Sequence, residues 1–242
     1  MTLIKLDAID STNDFLKQLA ATDDIANYTA VVAKNQTKGK GQMGSQWLSE
    51  SGKNLMMSVL IKDSAADISQ IFTLNVAIAK SLIDVLLNAN IPDLSIKWPN
   101  DIMSANKKIA GILIENTIKS KGTVQSIVGI GINVNQEQFE GLPHASSLKL
   151  VSGEPHDIDL LITQLMDAIQ QNTQKIPSQS EILWESYHSY LFKIRQPVAF
   201  ENLNGERFMG IIQGVNPDGT LRLLQEQDMI RHFGIKQIKM LL

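Results

Sequence analysis

Only residues 45–54 separate the last glycine of Gly39-Lys40-Gly41-Gln42-Met43-Gly44 from the next strand-like run at 55–61, and that short gap removes the commonest meaning of the motif. The run is a literal G-x-G-x-x-G, and Asp63 stands where a ribose-binding acid could stand. A dinucleotide fold needs the third glycine to open a crossover helix, and a parallel crossover takes roughly a dozen residues or more. Residues 45–54 include Ser51-Gly52 and carry no apolar helical stripe. A phosphate loop of the Walker type is excluded as well, because no Gly-Lys is followed by Ser or Thr at the required spacing. What remains is a flexible loop with free backbone N–H groups and flanking Lys38 and Lys40, able to cradle an anion, or equally a solvated loop with no ligand.

Residues 3–9 read as a strand, followed by capping side chains at Asp10-Ser11-Thr12-Asn13-Asp14 and by Phe15, Leu16, Leu19 and Ala20 at helical spacing. Strands are predicted at 28–33 and 55–61, a helix at 68–87, and a run of strands at 94–98, 102–104, 109–115 and 125–134, with Ala105-Asn106-Lys107 as a hairpin tip. Helical spacing returns at 158–176 and 181–191, split by Pro177-Ser178. From Gln196 the texture changes to short strands divided by Asn204-Gly205, Pro217-Asp218-Gly219 and Phe233-Gly234, the spacing of a small barrel. The order of elements does not alternate as a doubly wound sheet requires, so the expected class is α+β: one domain over 1–192 and a small all-β domain over 193–242.

Composition narrows the chemistry. A net charge of -3 and a pI near 5.8 offer no overall attraction to nucleic acid or anionic membranes. The absence of cysteine excludes disulfides, thiolate metal sites and cysteine nucleophiles. The N-terminus lacks the pattern of a signal peptide, and the apolar stretch at 71–87 is interrupted by Asn75, Lys80, Ser81 and Asp84, as a buried helix would be; a cytoplasmic protein is expected. The four histidines show no metal-ligand spacing, so no metal-ligating residue is assigned.

Two further segments carry polar groups on strand ends. Lys97-Trp98-Pro99-Asn100-Asp101 sets a cation, a ring and two polar groups around a rigid turn, which in isolation describes a packed tryptophan as well as a site. Lys107-Lys108-Ile109-Ala110-Gly111-Ile112-Leu113-Ile114-Glu115 is an apolar strand led by two lysines and closed by an acid. A lysine at such a mouth can lower the repulsion between two anions brought together in a dry site, though it can also be merely solvated. Gly111, Gly129 and Gly131 strip side chains from strands, which fits a narrow ligand slot or close packing.

In order, Ser11-Thr12-Asn13, the run from Gln36-Thr37 through Gln46-Trp47, Lys97-Trp98-Pro99-Asn100-Asp101, Lys108 through Glu115, and Gly129-Ile130-Gly131-Ile132-Asn133-Val134-Asn135 resemble the motif series of biotin protein ligases. The resemblance spans nearly the whole chain. It implies a catalytic domain of the type shared with class II aminoacyl-tRNA synthetases and a C-terminal SH3-like barrel. It implies ATP and biotin as substrates, Mg2+ as the accompanying ion, and a biotin carboxyl carrier domain as partner. Ser11, Thr12 and Gln36 are then similar to the polar partners of the biotin ureido ring, with Gly111, Gly129 and Gly131 lining the slot. Gly39, Lys40 and Gly41 belong to the biotin side of the loop, and Lys40, Gln42, Met43 and Gly44 to its adenylate side. Lys108 resembles the lysine that bridges the biotin carboxylate and the ATP α-phosphate. Asn100 and Asn133 resemble adenine-side contacts, Trp47 a ring packing at the nucleotide, and Asp101 a group near the metal or the acceptor lysine.

The loop of such proteins usually carries arginines where this chain has Lys40 and Gln42, so a looser hold on the acyl-adenylate is expected. Family members that double as repressors carry an N-terminal helix-turn-helix. Here Ser11 already opens the motif series, so no DNA partner is expected, nor a membrane, and the chain is expected to act as a monomer or weak homodimer. The alternatives are a lipoate or octanoate ligase or transferase on the same fold, and a non-catalytic biotin or nucleotide sensor.

Overall fold

A strand that is apolar on both sides must be covered on both sides, and Leu55–Lys62 (LMMSVLIK) is such a strand, buried at every position but the last. In the computed structural model, which describes residues 1–62, 71–118 and 123–241, this strand lies inside a seven-stranded sheet. The strands are β1 (Leu3–Ile9), β2 (Ala30–Gln36), β3 (Leu55–Lys62), β4 (Leu94–Lys97), β5 (Asp101–Ser104), β6 (Lys107–Ile118) and β7 (Val124–Ile132), in the order β1-β2-β3-β7-β6-β5-β4. The β1–β2 pair is parallel and the other pairs are antiparallel, a mixed sheet in an α+β fold as the element order implied. Asp63 and the first residues of the helix expected at 68–87 lie outside the described residues.

Alternation along β3 divides the molecule. Leu55, Met57, Val59 and Ile61 join Ile112, Val128, Ile130 and Ile132 in one large core with α2 (Ile71–Asn88). Over α2 lie α4 (Ile158–Gln174) and α5 (Ile176–Ser189), and a short α3 (Leu148–Ser152), not anticipated from the sequence, precedes them. α2 is long and apolar enough to cross a membrane, with mean hydropathy 1.5, but 67% of that window is buried inside the fold, as its internal polar residues suggested. On the opposite face Leu60, Val31 and Ile127 meet Leu16 of α1 (Thr12–Thr22) in a smaller cluster. α1 contacts β2, β3 and β7 on this face. Beyond it the three strand glycines, at even spacing from Leu60's neighbours, leave the face hollow.

Pro177 ends one helix and starts the next without a gap. It sits in the first turn of α5, where its missing N–H has no helical partner to lose, and the chain bends at Gln179 instead.

The remaining strands, β8 (Pro197–Asn202), β9 (Arg207–Val215), β10 (Leu221–Leu224), β11 (Ile230–Phe233) and β12 (Ile238–Met240), form an antiparallel sheet in the order β11-β10-β9-β8-β12. Three of its four connections fall at the predicted glycine sites, and the fourth, between β10 and β11, is a 3-10 turn at Glu226–Asp228 that carries no glycine. Its apolar face, including Phe200, Ile212 and Leu223, is continuous with the main core. Trp98 Nε1 donates to the Gly219 carbonyl at 2.9 Å, so a turn of this sheet holds the segment between β4 and β5.

Candidate active site

The hollow face contains a narrow slot whose floor is β3, β6 and β7. Side chains would obstruct it: a Cβ on Gly129 would run into Asn13 Oδ1, and one on Gly131 would stand 2.5 Å from the Trp47 ring. Only glycine permits both approaches. The polar end of the slot is a chain of contacts. Gln36 Oε1 accepts the Thr12 N–H at 2.7 Å and lies 3.1 Å from Thr12 Oγ1. Ser58 Oγ is 2.8 Å from Thr12 Oγ1 and 2.5 Å from Asn13 Oδ1, and Asn13 Nδ2 donates to Glu115 Oε2 at 2.9 Å. Ser11 caps α1 by accepting the Asp14 N–H.

Trp47 occupies the other end. Its ring packs on Gly131 and near Gly111, Lys108 Nζ lies 5.6 Å from the ring centroid, and its Nε1 is buried without a hydrogen-bond partner. With the ring there the slot holds only about 40 Å³ of free space. A second cavity of about 340 Å³ opens on the far side of the same ring, walled by Lys97, Asp101, Met103, Asn133 and the segment 139–145. Trp47 and Lys108 line both. Lys108 Nζ is held by Asp101 Oδ1 at 2.6 Å. Burial pushes the Lys97 ammonium below its usual pKa; Asp101 opposes this, while Lys108 and Lys239 add to it. Lys97 and Lys108 thus share the single carboxylate of Asp101, and a further anion there would be favoured.

The structure brings together most of the residues singled out in the sequence. Ser11, Thr12, Gln36, Lys40, Gly41, Gln42, Asn100, Lys108, Gly111, Gly129 and Gly131 line the slot, whereas Asp101 and Asn133 line the second cavity. Asn100 lines the slot, and its Nδ2 donates to the Ile112 carbonyl at 2.6 Å, bracing β6. Lys40 and Gln42 likewise stand on the slot side, Lys40 being drawn to Asp14 at 2.6 Å, a hydrogen bond that raises its pKa. Asn133 donates to the Ser146 carbonyl at 2.9 Å. Gly39 and Gly44 line neither cavity; Gly39 instead accepts the Trp47 N–H and so fixes where that ring enters, and the Met43 side chain lies outside the described residues. Sequence reasoning gave no role to Ser58, Asn13, Glu115 or Lys97. Ser58 had a signal, since it is the one polar residue inside the apolar part of β3.

Two cavities that share Trp47 and the Lys108 ammonium group, one on a strand floor with polar side chains at its end and the other lined by lysines, suit an enzyme that brings two anions together. The protein comparisons agree. The biotin/lipoate A/B protein ligase family model matches residues 6–133. The bifunctional ligase/repressor BirA of Bacillus spizizenii is 33% identical over 98% of this chain and 71% of its own length. The biotin--[acetyl-CoA-carboxylase] ligase of Mycobacterium tuberculosis is 25% identical over 88% of this chain and 79% of its own. The structure of the biotin protein ligase from Aquifex aeolicus in complex with biotin and ATP is similar with a TM-score of 0.82 and 27% identity, covering 99% of this chain and 98% of that one. This chain belongs to the biotin/lipoate A/B protein ligase family.

Proposed function

We propose that this chain is an ATP-dependent biotin protein ligase, which forms biotinyl-5'-AMP from biotin and ATP and then transfers biotin to a lysine of a biotin carboxyl carrier domain. The observation that carries the reading is the position of Lys108 in the walls of both cavities. In the first step a biotin carboxylate oxygen attacks the α-phosphorus of ATP, the bond to the bridging oxygen breaks, and pyrophosphate leaves. Two anions must approach, and an ammonium group between them lowers that repulsion most where water is excluded. In the second step the neutral amine of the acceptor lysine attacks the acyl carbon, AMP leaves, and the amine gives up a proton. Asp101, already bonded to Lys108, is the carboxylate nearest this event among the residues lining either cavity.

Among the described residues no group of three or more His, Cys, Asp or Glu side chains is placed to hold a metal ion. Asp101, the one carboxylate lining either cavity, would be the residue to meet Mg2+ carried in on the triphosphate. For ATP, Asn133, Trp47 and Lys97 supply the cavity wall. The loop from Gly39 to Gly44, tied by Lys38 to Asp10 and by Lys40 to Asp14, would shield the adenylate from water. Because these ties are lysine–carboxylate pairs on the surface, the hold on the adenylate is looser than a bidentate arginine would give.

The proposal includes a catalytic domain over 1–192, an SH3-like domain over 193–242, action in the cytoplasm as a monomer or weak homodimer, and no DNA or membrane partner. A lipoate or octanoate substrate fits less well, since a flexible acyl chain has no use for the polar set of Thr12, Gln36 and Ser58, of which Thr12 and Ser58 are buried. The test is incubation with ATP, Mg2+, biotin and a carrier domain, followed by mass measurement. A gain of one biotinyl group on the carrier supports the proposal, and an unmodified carrier with no pyrophosphate released refutes it.

A further inference from the structure

Strand β1 stands at one end of the seven-stranded sheet and pairs with β2 alone. The Thr2 and Asp10 carbonyls accept from the Ala30 and Lys38 N–H groups at 2.8 Å, so the even-numbered residues of this parallel ladder turn their backbone groups toward β2. Leu3, Lys5 and Asp7 therefore aim their N–H and C=O groups outward, where no strand among the described residues meets them. Such an edge is a template for another strand, and proteins commonly blunt it with charge. Lys5 and Asp7 are both exposed, but their charges are opposite, and that decides what the edge repels.

In an antiparallel pair, residues that aim outward must lie opposite residues that aim outward. Full overlap of Leu3–Ile9 with a second copy of itself centres on Leu6. Lys5 then lies opposite Asp7 of the second copy and Asp7 opposite its Lys5, two hydrogen-bonded pairs that supply roughly four backbone bonds. Sliding the centre to Lys5 sets lysine against lysine, and sliding it to Asp7 sets aspartate against aspartate, both of which are destabilising. In the centred register Lys5, held by Asp159 at 2.7 Å, meets an Asp7 that its own Lys34 holds at 2.8 Å, so four charges alternate in sign across the seam. On the other face Leu6 lies against Leu6 and Ile4 against Ala8. Within one chain Ile4 and Leu6 are only partly buried, against the cluster around Leu16, and the second copy would cover them further.

We propose that β1 is the seam of a homodimer in which the sheets of two copies join antiparallel about Leu6 into one continuous sheet. The inference gives an interface to the homodimer allowed for in the proposed function, and uses none of that reading's chemistry. A contact built on one short strand from each copy belongs to the small end of specific interfaces, so the dimer is weak and concentration-dependent.

The test is sedimentation velocity of the whole chain, without ligands, from about 1 to 200 μM, the range suited to a small interface. Wild type should shift toward a dimer across that range. Lys5→Asp and Asp7→Lys each leave an edge of one sign and should weaken association about tenfold or more. Mixed in equal amounts, the two variants should associate with each other, because an acidic edge then meets a basic one. Since the chain has no cysteine, Leu6→Cys supplies a single thiol per copy. Residues opposite each other in a non-hydrogen-bonded pair stand about 4.5 Å apart, within disulfide range, so mild oxidation should link two copies through it. Ala8→Cys, opposite Ile4, should link poorly. Wild type that stays monomeric throughout overturns the proposal, as does a dimer unmoved by either charge variant. Loss of the dimer without rescue on mixing overturns it too, and so does equal crosslinking through Ala8→Cys. Should a charge variant fail to fold, the two cysteine variants decide. No biotin or ATP is present and no turnover is read, so failure here leaves the ligase reading standing, and failure of that reading leaves this one.

Discussion

The slot and the cavity beside it share Trp47 and Lys108 but are built differently. The slot lies on the central strands β3, β7 and β6, its polar end is a hydrogen-bonded chain from Gln36 to Glu115, and Trp47 leaves it about 40 Å³ of free space. The neighbouring cavity, at about 340 Å³, is walled by Lys97, Asp101 and Met103 on β4 and β5 and by the segment 139–145, and the turn between those two strands is braced by the second sheet through Trp98 and Gly219. A floor of paired strands cannot adapt, so it suits recognition of one rigid shape by fixed acceptors. Walls made from turns can adjust around a flexible triphosphate. The difference predicts that damage can be directed mainly to one ligand, except at Trp47 and Lys108, which both cavities share.

Lys108→Ala should break the division outright. The ammonium group lines both cavities, and losing one charge-stabilising donor in a site of this kind costs about 10² to 10³ in rate. Pyrophosphate release should fall by that factor while biotin affinity, set by the other end of the slot, stays within a few-fold. A loss confined to binding would show that the lysine does not bridge the reactants.

Gly131→Ala should act mainly on the slot. The added Cβ would stand 2.5 Å from the Trp47 ring, closer than packed atoms tolerate, and overpacking of this sort costs about 1–3 kcal/mol. Biotin affinity should drop tenfold or more, with a smaller loss of ATP binding, transmitted through Trp47, when measured by titration of a non-hydrolysable analogue. Trp98→Phe should do the reverse and more gently. It keeps the ring in the core but removes the bond to the Gly219 carbonyl, worth about 1 kcal/mol, so the KM for ATP should rise about fivefold while biotin affinity holds.

How much of this was written in the sequence depends on the range over which each residue acts. The strand glycines were legible because Gly129 and Gly131 stand two apart on one strand and therefore face one way. The lysine-led strand was legible because burial of an apolar run leaves its charged ends at the edge of the core. Ser58 was not, since a serine in an apolar strand has no local mark of whether its partner is a neighbouring carbonyl or, as here, helix α1 more than forty residues earlier. The structural part of Asn100 was not legible either, since its amide braces β6 through the Ile112 carbonyl, a pairing that only the β5–β6 register reveals. Trp47 could be read as a ring beside the nucleotide but not as the occupant of the slot, because where a loop side chain rests is fixed by what the floor leaves empty.

The smallest effect should sharpen the comparison through pH. His188 Nε2 lies 3.0 Å from the Val215 N–H and 3.1 Å from its carbonyl, joining α5 to β9 of the second sheet. Burial lowers its pKa from the usual 6.5, the Val215 carbonyl partly restores it, and Arg222 lowers it again. With the native value below the unfolded one, the unfolded chain binds the proton more readily. Stability from this residue is therefore intact above about pH 6.5 and declines as pH falls toward the lower native pKa. The carboxylates with lowered pKa values, such as Asp218, lose their contribution only in a more acidic range, below their usual 3.8, so the two effects separate. Urea unfolding at pH 7.5 and 5.5 should show a decrease for wild type that is reduced in His188→Gln. Over the same interval the KM for ATP should rise before biotin affinity changes, because the second sheet braces the wall of one cavity through Trp98 and takes no part in the strand floor of the other. Parallel loss of both affinities would mean that the slot leans on that sheet as well, and that the two cavities are one mechanical unit.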